Sequence, residues 1–393
     1  MRALLMMIMA LAFSAQAQEW RGQLSAEQRG FAHAGLDPDQ HRGYASLTLQ
    51  PEFHAQWQDG RQLLAFTGFY RWDQHDRQRT HGDVRELLWL YVGRGFELRA
   101  GIGKFFWGVA ETQHLVDVVN QIDLVEDPDR EEKLGQPMFG AKLLTQAGNW
   151  ELYVLPYFRE RTFPGEEGRL RTLPRVDTTQ DALYESPRRQ RHVDAAARWT
   201  STFGAWDVGL SYFRGTNREP RLVPGLDAAG QPVLRPYYGQ LRQLGLETQA
   251  TLDRWLLKLE AVRRWERDAN SRAATAGFEY TVPAVFGSAS DLGLLAEYLY
   301  DSRGAAAYTP FQDDVMLGVR WTANDAQATQ ILATAILDRR TSERAYNLEV
   351  SRRLRGNLTA SLEARAFLAN APDQPLYSFR HDDYVQLKLT YYF

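Results

Sequence analysis

The sequence predicts an all-β fold, a transmembrane antiparallel up-and-down β-barrel of about 18 strands. Three observations predict it. Apolar and polar residues alternate along most of the chain, aromatic residues make up 12% of it while mean hydropathy is low at -0.46, and cysteine is absent. Strands that face lipid on one side and water on the other have this mixed composition. A helical membrane protein would be more apolar, and a nucleic-acid-binding protein would be more basic than a net charge of -3.

The first residues predict export. Met1-Arg2 precede an apolar run from Ala3 to Phe13, and Ala15-Gln16-Ala17 follows. This is the pattern of a secretory signal peptide, so we expect residues 1–17 to be removed and 18–393 to form a single barrel domain. The apolar run is too short to cross a bilayer as a helix. We therefore expect a protein of the outer membrane of a Gram-negative bacterium, without lipoprotein anchor or disulfides.

Period-2 alternation is clearest in 43–57, where Leu47 and Leu49 share one face while Thr48 and Gln50 share the other. The same pattern recurs to the end of the chain. Predicted strands lie at about 20–32, 43–57, 62–73, 84–92, 96–107, 138–146, 150–159, 192–200, 206–215, 240–252, 255–266, 273–282, 291–300, 314–323, 328–338, 344–354, 358–370 and 383–393.

The predicted connections alternate between long and short. Short ones such as Asp59-Gly60 and Arg355-Gly356-Asn357 carry the residues of tight hairpins. The long ones include 108–137, 160–191 and 216–239. Outer-membrane barrels have long extracellular loops and short periplasmic turns, so we expect the long connections outside the cell. The even strand number is consistent with a closed barrel, which has no sheet edge.

The last predicted strand carries an aromatic signature. Leu387, Leu389, Tyr391 and Phe393 share one face. An aromatic final residue resembles the signal that the barrel-assembly machinery recognises, so Tyr391 and Phe393 are predicted to form the assembly signal. An ordinary amphipathic strand is the alternative. Tryptophans near strand ends predict girdles in contact with outer-membrane lipid.

Several segments carry a family resemblance, namely Trp107-Gly108, Glu111 to Asp117, Asp123 to Pro128, Arg159 to Gly165, Glu219 to Gly225 and Phe311 to Asp314. In these segments the chain resembles an uncharacterised proteobacterial outer-membrane β-barrel family of porin-like build. The layout is also similar to that of substrate-specific and phosphate-selective porins of pseudomonads. The resemblance implies a barrel and brings no substrate with it, since fold alone does not fix function.

A barrel of 18 strands leaves an aqueous channel, so the polar strand faces are expected to line a pore. Charges of both signs occur there in similar number, and the alternative to a transport role is that neighbouring strands pair these charges. The pore-lining and constriction candidates are Arg71, Arg99, Glu111, Asp117, Asp123, Glu126, Asp127, Arg159, Arg198, Arg320 and Arg365.

The loop 108–137 is the predicted constriction element. Its acidic residues far outnumber its two cations, and its apolar residues from Leu115 to Val125 need cover. Gly101 and Gly103 on the inner face of strand five are expected to leave room for it in the lumen. A fold into the lumen would let the loop set pore size and favour cations, or counter the arginines of 160–191. A surface loop packed on its neighbours is the alternative.

The loop 160–191 is rich in arginine, whose planar donors suit phosphate and carboxylate groups. It is expected either to attract anionic solutes or lipopolysaccharide phosphates, or to pair with its own acids. The acidic run Glu126 to Glu132 lacks the spacing of a calcium loop, and no catalytic or dinucleotide motif is present. We therefore expect no metal, no cofactor and no enzyme activity.

The function predicted is a porin-like channel for passive passage of small polar or charged solutes. A closed structural, assembly or adhesion barrel is the alternative, and a barrel enzyme is the less favoured one. Expected partners are lipopolysaccharide and outer-membrane lipid, the barrel-assembly machinery and small solutes, with no nucleic acid. The oligomeric state stays open.

Overall fold

The computed structural model describes residues 17–267, 269–307 and 309–393. The signal peptide expected at 1–17 therefore lies outside the described residues, apart from Ala17 at the start of the first strand. In chain order the strands are β1 Ala17–Phe31, β2 Gly43–Trp57, β3 Gln62–Asp73, β4 His81–Val92, β5 Phe96–Gly103, β6 Gln136–Thr145, β7 Gly148–Leu155, β8 Leu183–Tyr184, β9 Asp194–Phe203, β10 Trp206–Thr216, β11 Arg221–Leu226, β12 Pro232–Tyr238, β13 Gln240–Leu252, β14 Trp255–Trp265, β15 Asn270–Val282, β16 Asp291–Asp301, β17 Asp313–Thr322, β18 Gln330–Asp338, β19 Arg344–Arg355, β20 Leu358–Leu368 and β21 Tyr384–Tyr392.

Eighteen of these strands form one closed antiparallel barrel, as the alternation predicts. Each barrel strand pairs with its neighbours in chain order, and β1 closes the ring by pairing with both β2 and β21. In the closing pair Glu27 lies opposite Lys388 and Leu24 opposite Tyr391. Closure leaves no strand edge unpaired. Among the described residues, no helix is long and apolar enough to cross a membrane.

The two faces of the wall follow the predicted register in β2. Leu47 and Leu49 lie exposed on the outside, whereas Ser46 and Thr48 are buried on the inside. In β21, Leu387, Leu389 and Tyr391 are likewise exposed on the outer face. Because these exposed side chains are apolar, the outside of the barrel is suited to lipid rather than water.

The loops contain structure that periodicity did not predict. Inside the predicted loops 160–191 and 216–239, β11 pairs antiparallel with β12, and β12 pairs parallel with β8. These three strands form a small separate sheet. Two long connections are therefore joined to each other. We call the end of the barrel that carries them the long-loop end.

The alternation of long and short connections is less strict than predicted. At the long-loop end, 266–269 and 339–343 are short. At the opposite end, 283–290 and 323–329 are longer than either. The turn 323–329 is held by the Asp325 carboxylate, which accepts hydrogen bonds from the amide and hydroxyl of Thr329, both at 2.8 Å. Strand pairing rather than connection length thus sets the topology.

The inner face is not polar throughout, which departs from the sequence prediction. On β16 to β18, the inward side chains include Leu295, Leu299 and Met316, which pack with Leu332 and Ile336. The pattern of β18 contains apolar residues at consecutive positions, so both of its faces are apolar. One sector of the barrel interior is therefore hydrophobic.

Candidate pore site

The connection between β5 and β6, residues 104–135, runs across the inside of the barrel. Its first anchor is Glu260 on β14, whose side chain is fully buried. One carboxylate oxygen accepts hydrogen bonds from the amides of Val109 at 2.7 Å and Ala110 at 2.9 Å. The other accepts from the amide of Val116 at 3.2 Å. A carboxylate held by several amides forms charge-assisted hydrogen bonds, which are stronger than neutral ones.

The second anchor is Glu297 on β16. Its carboxylate accepts from the amide of Glu111 at 2.6 Å and from the amide and hydroxyl of Thr112 at 2.9 and 2.7 Å. β16 is the eighth strand after β5 in the ring of eighteen. The loop therefore reaches nearly the opposite wall before it returns to β6.

The apolar part of the loop is covered by inward side chains of the wall. Leu115, Val116, Val118 and Val119 are buried in one cluster with Trp107. The wall contributes Met138, Tyr153, Leu155, Ala196, Phe213, Leu241, Val262 and Ala273. The sequence predicts that these apolar loop residues are buried, and they pack against inward side chains of β6 to β15.

Glycines make room for the loop, but Gly101 is not one of them, and a β-carbon at Gly103 would meet only wall side chains, Leu88 at 3.5 Å and Met138 at 3.6 Å. A β-carbon at Gly101 would meet the backbone oxygen of Leu87 at 2.1 Å, so this glycine allows close strand approach. At Gly108, where φ is +126°, a β-carbon would lie 2.6 Å from the Glu260 carboxylate, and at Gly245 one would lie 2.9 Å from Val116. The predicted role for Gly101 is therefore wrong, and the space comes from Gly108 in the loop and Gly245 in the wall.

Most candidate charges predicted from sequence pair inside the lumen. Arg71 on β3 is buried and donates to the Glu126 carboxylate of the loop at 2.7 to 3.0 Å. It also donates to Glu27 at 3.2 Å and to the Ser46 hydroxyl at 2.6 Å. Arg79 completes the group with a bond to Glu27 at 2.7 Å. Arg79 also pairs with Asp73 at 2.9 Å and Arg29 with Glu27 at 3.9 Å, so three guanidinium groups balance three carboxylates between wall and loop.

Asp117 and Asp123 are also buried and paired. The Asp123 carboxylate accepts from Arg85 at 2.5 Å and from the Thr162 hydroxyl at 2.6 Å, and lies 3.1 Å from the His81 ring. Asp117 lies 3.1 Å from the Lys133 ammonium, within the same loop. Burial nevertheless raises the pKa of Asp117, and Lys133 opposes that rise only in part.

Four further candidates, Glu111, Asp127, Arg320 and Arg365, form pairs on the far side of the lumen. Glu111 contacts Arg320 on β17 at 2.7 Å and Lys258 on β14 at 3.3 Å. Arg365 on β20 contacts both Asp127 and Asp129 of the loop at 3.1 Å. These pairs, together with the anchors at Glu260 and Glu297, tie the loop to strands all around the barrel.

The remaining candidates form pairs outside this group. Arg99 donates to Glu97 at 2.7 Å, Arg159 to Asp83 at 2.8 Å, and Arg198 to Glu247 at 2.8 Å. Arg198 also lies 5.5 Å from the ring of Trp107, a cation–π distance. Pairing within the wall, which the sequence left as the alternative, is therefore the local state of Arg99 and Arg198, whereas Arg159 lies in the connection after β7 and pairs with Asp83 of β4.

The charge of the loop is balanced locally. Glu126, Asp123 and Asp127 each pair with an arginine of a barrel strand, and Asp117 with a lysine of the loop itself. Within 17–267, 269–307 and 309–393, no ion pair joins this loop to an arginine of 160–191. The loop therefore pairs mainly with the wall, and its effect on ion preference stays a prediction.

A cavity of about 880 Å³ lies between this loop and the long-loop end of the barrel. Inward residues of β13, β14 and β16 to β20 line it, together with parts of the long connections. The apolar sector contributes Met316, Leu332 and Ile336 to its wall. The cavity is therefore amphipathic, with charged and hydrophobic regions.

Arginines gather at one wall of this cavity around Glu219. The Glu219 carboxylate lies 3.2 Å from the Arg303 guanidinium and 3.8 Å from that of Arg130. Burial alone would raise the pKa of Glu219, but the surrounding arginines lower it to about 2. Burial and the neighbouring Arg130 lower the pKa of Arg161 to about 10. Arg161 donates to the Gln121 side chain and the Arg218 carbonyl, without an acidic partner among the described residues.

Sequence reasoning missed the residues that organise the site. Glu260 and Glu297 lie on predicted polar faces, yet nothing in their spacing distinguishes them from other wall acids. Arg130, Arg303 and Glu219 come from three separate connections, which periodicity does not bring together. Only the excess of apolar residues in the loop signalled that it needed partners.

One group in the lumen has the composition of a metal site. His81, Asp123 and Glu126 offer donor atoms within 4.8 Å of one another. However, Arg85 and Arg71 already neutralise the two carboxylates at 2.5 and 2.7 Å. An added divalent cation would meet guanidinium groups at close range, so these residues fit an ion-pair network.

The fold is that of a porin-type barrel, eighteen strands closed around a lumen with one connection folded inside. No family model matches the chain, and no curated protein matches it. Among solved structures, the chain is similar to OccK3 (OpdO) of Pseudomonas aeruginosa, at a TM-score of 0.57 and 10% identity over 97% of this chain and 96% of that chain. It is also similar to a BenF-like porin of Pseudomonas fluorescens Pf-5, at a TM-score of 0.55 and 9% identity over 97% and 99%.

A third similar structure is OccK2 (OpdF) of Pseudomonas aeruginosa in complex with glucuronate, at a TM-score of 0.54 and 12% identity over 95% of each chain. Identities this low establish the shared fold and nothing finer. The predicted likeness to substrate-specific porins is confirmed at that level.

Proposed function

We propose that this protein is an outer-membrane channel for passive passage of small polar or charged solutes. The cavity of about 880 Å³ inside a closed barrel is the observation that carries the proposal. The loop 104–135 bounds the cavity on the side away from the long-loop end. This loop narrows the lumen because it is fixed to Glu260 and Glu297 on the far wall. We assign the constriction to this loop, and the long-loop end to the outer surface of the cell.

The charge at one wall favours anionic solutes. Arg130, Arg161, Arg264 and Arg303 line the cavity, and the carboxylates that interact with them are Glu219, Asp301 and Glu266, so the arginines are in excess by one. A local excess of positive charge between low-dielectric walls attracts anions and raises their entry rate. The apolar sector in the same cavity would contact the uncharged part of such a solute. The glucuronate named for the OccK2 complex is one example of a small carboxylate to test.

Channel activity is tested with the purified protein in planar bilayers. We expect discrete conductance steps and a reversal potential under a salt gradient that reports ion preference. Liposome swelling would then compare glucuronate with glucose, which differ chiefly in one carboxylate. A closed structural barrel, the second candidate, would give neither steps nor swelling.

The contribution of the cavity arginines to anion preference is tested by Arg161→Gln, which removes a positive charge without breaking an ion pair. We expect slower swelling with glucuronate and unchanged swelling with glucose. Arg21→Gln is the matched control, because Arg21 pairs with Glu52 at 2.8 Å near the opposite end of the barrel. Equal loss for both solutes would argue for general narrowing instead of anion preference.

A further inference from the structure

A second group of chemically active side chains lies at the long-loop end. His41 belongs to the connection 32–42, His75 to 74–80 and Glu167 to the connection between β7 and β8. Their donor atoms, one ring nitrogen from each histidine and one carboxylate oxygen, all lie within 4.8 Å of one another. Loops far apart in sequence therefore bring two imidazoles and a carboxylate together.

We propose that His41, His75 and Glu167 bind a divalent transition-metal ion of the Zn²⁺ class. Two imidazoles and one carboxylate form a known ligand set for zinc, with a further position left for water. Nitrogen donors favour Zn²⁺, Cu²⁺ or Ni²⁺ over Ca²⁺ and Mg²⁺, which prefer oxygen ligands. The proposal concerns the outer rim and goes beyond solute passage.

The donor atoms of this group are available. Within 17–267, 269–307 and 309–393, the Glu167 carboxylate forms its only ion pair with His41, at 3.5 Å. In the same residues, no hydrogen bond to a ring nitrogen of His41 or His75 is present. The contrast is His81, whose ring nitrogens contact the Arg79 carbonyl at 2.9 Å and Asp123 at 3.1 Å. An incoming cation would thus meet a carboxylate whose ion-pair partner is itself one of the proposed ligands.

The backbone beneath the ligands is held in place by Tyr44. Its buried hydroxyl accepts a hydrogen bond from the His41 amide at 3.0 Å and donates one to the carbonyl of Glu167. Its ring packs edge-on against His75 at 5.4 Å between centroids. One side chain therefore contacts all three ligand residues and fixes their relative position.

The side chains themselves retain freedom to close on an ion. The rings of His41 and His75 stack at 3.7 Å with an interplanar angle of 17°, and the side chains of His41 and Glu167 are 45% and 42% exposed. Zinc bonds of about 2.0–2.2 Å place tetrahedral donors roughly 3.4 Å apart. Rotation of the exposed His41 ring and the half-buried His75 ring by about 1 Å at their donor atoms would reach that separation.

A bound ion would fasten one loop across the barrel mouth. Glu167 lies between Pro164 and Leu170, which both line the lumen cavity. The same segment is already held by a hydrogen bond from the Gly165 amide to Asp76 at 3.1 Å and one from Gln40 to the Gly168 carbonyl at 2.7 Å. Arg169 also donates to the His41 carbonyl at 3.0 Å. Metal binding would add a further connection between these loops and slow their separation.

The test is calorimetric titration of ZnCl₂ into the full-length barrel folded in detergent. We expect one ion per barrel and at least a tenfold loss of affinity in Glu167→Gln and in His75→Ala. His381→Ala is the matched control, because His381 is a half-buried rim histidine outside the group. Absence of binding in the wild type, unchanged affinity in Glu167→Gln, or equal loss in His381→Ala would overturn the proposal.

Hydrogen exchange provides a second measurement. Zn²⁺ should slow exchange of the amides between 163 and 172 in the wild type and leave the Glu167→Gln variant unchanged. Heat-modifiable migration verifies that each variant folds. His41→Gln removes a third ligand with a smaller change of side-chain size than His75→Ala. Exchange that is equally slowed in both proteins would contradict the assigned site. Neither measurement depends on solute conduction, so failure here is distinguishable from failure of the channel proposal.

Discussion

Phe393 and Gly22 exchange both backbone hydrogen bonds, from the Gly22 amide to the Phe393 carbonyl at 2.9 Å and in the reverse direction at 3.0 Å. The Phe393 ring lies so close that a β-carbon on Gly22 would be 2.9 Å from it. The predicted assembly residue therefore also completes the junction of β1 with β21. Recognition by assembly machinery stays a prediction, whereas the closing contact is part of the fold.

Deletion of Phe393 is expected to reduce the amount of folded barrel in the outer membrane, because it removes two closing hydrogen bonds and the ring over Gly22. Heat-modifiable migration of membrane fractions measures this. Phe286→Ala is the control, since Phe286 is a fully exposed aromatic in the turn 283–290. Wild-type levels after deletion would show that closure does not need this residue.

The register of β2 predicts a labelling pattern. Cysteines placed at Leu47 and Leu49 should resist a water-soluble maleimide in lipid, because these positions are exposed on the outer face. A cysteine at Gln50, on the inner face, should react. The reverse pattern would mean that the strand is displaced by one residue.

Release of the loop is expected when its wall anchors are neutralised. In the double variant Glu260→Gln, Glu297→Gln, the amides of Val109 and Glu111 lose charged acceptors, and each such bond contributes about 1.5–3 kcal/mol. Larger or noisier single-channel conductance should result. Deleting Val116 to Asp127 should also raise conductance. Glu52→Gln, a wall acid bound to Arg21, controls for lost charge. Unaltered currents in both loop variants would remove the constriction assignment.

Neutralising a loop acid should shift ion preference toward anions. Glu111→Gln leaves Arg320 and Lys258 with less compensation in the lumen, and Glu111 is partly exposed, so folding should tolerate the change. The reversal potential under a KCl gradient measures the shift. Glu166→Gln removes the same charge from an exposed position on a long loop and should have little effect. A comparable response from both variants would point to general surface charge.

Removal of Arg71 is expected to destabilise the barrel. Arg71→Met would leave the carboxylates of Glu27 and Glu126 buried with fewer partners, and breaking a buried pair costs about 3–5 kcal/mol. The midpoint of urea unfolding in detergent or vesicles should fall. Arg21→Met, at an exposed pair, should shift it by under about 1 kcal/mol. Similar midpoints for both variants would mean that water reaches the Arg71 group.

The strand pattern was predictable because alternation repeats locally, and each barrel strand pairs with its chain neighbour. The faces on which Leu47 and Thr48 lie can be predicted from a few adjacent residues. The partners of Asp123 or Glu126 were not predictable, because Arg85 and Arg71 belong to strands 38 and 55 positions away in sequence. The apolar inner face of β18 also escaped prediction, since a strand apolar on both sides has no alternation to reveal which face points inward.

The two wall glutamates contact the loop mainly through backbone amides, a group that every residue except proline supplies. The path across the lumen is therefore specified largely by the receiving wall, with Gly108 as the principal requirement in the first half of the loop. Side chains that the two glutamates do not contact, such as that of Gln113, could be exchanged for sensing groups while the loop keeps its course. The barrel thereby offers a scaffold for engineered nanopores in which the recognition surface can be rewritten independently of the frame.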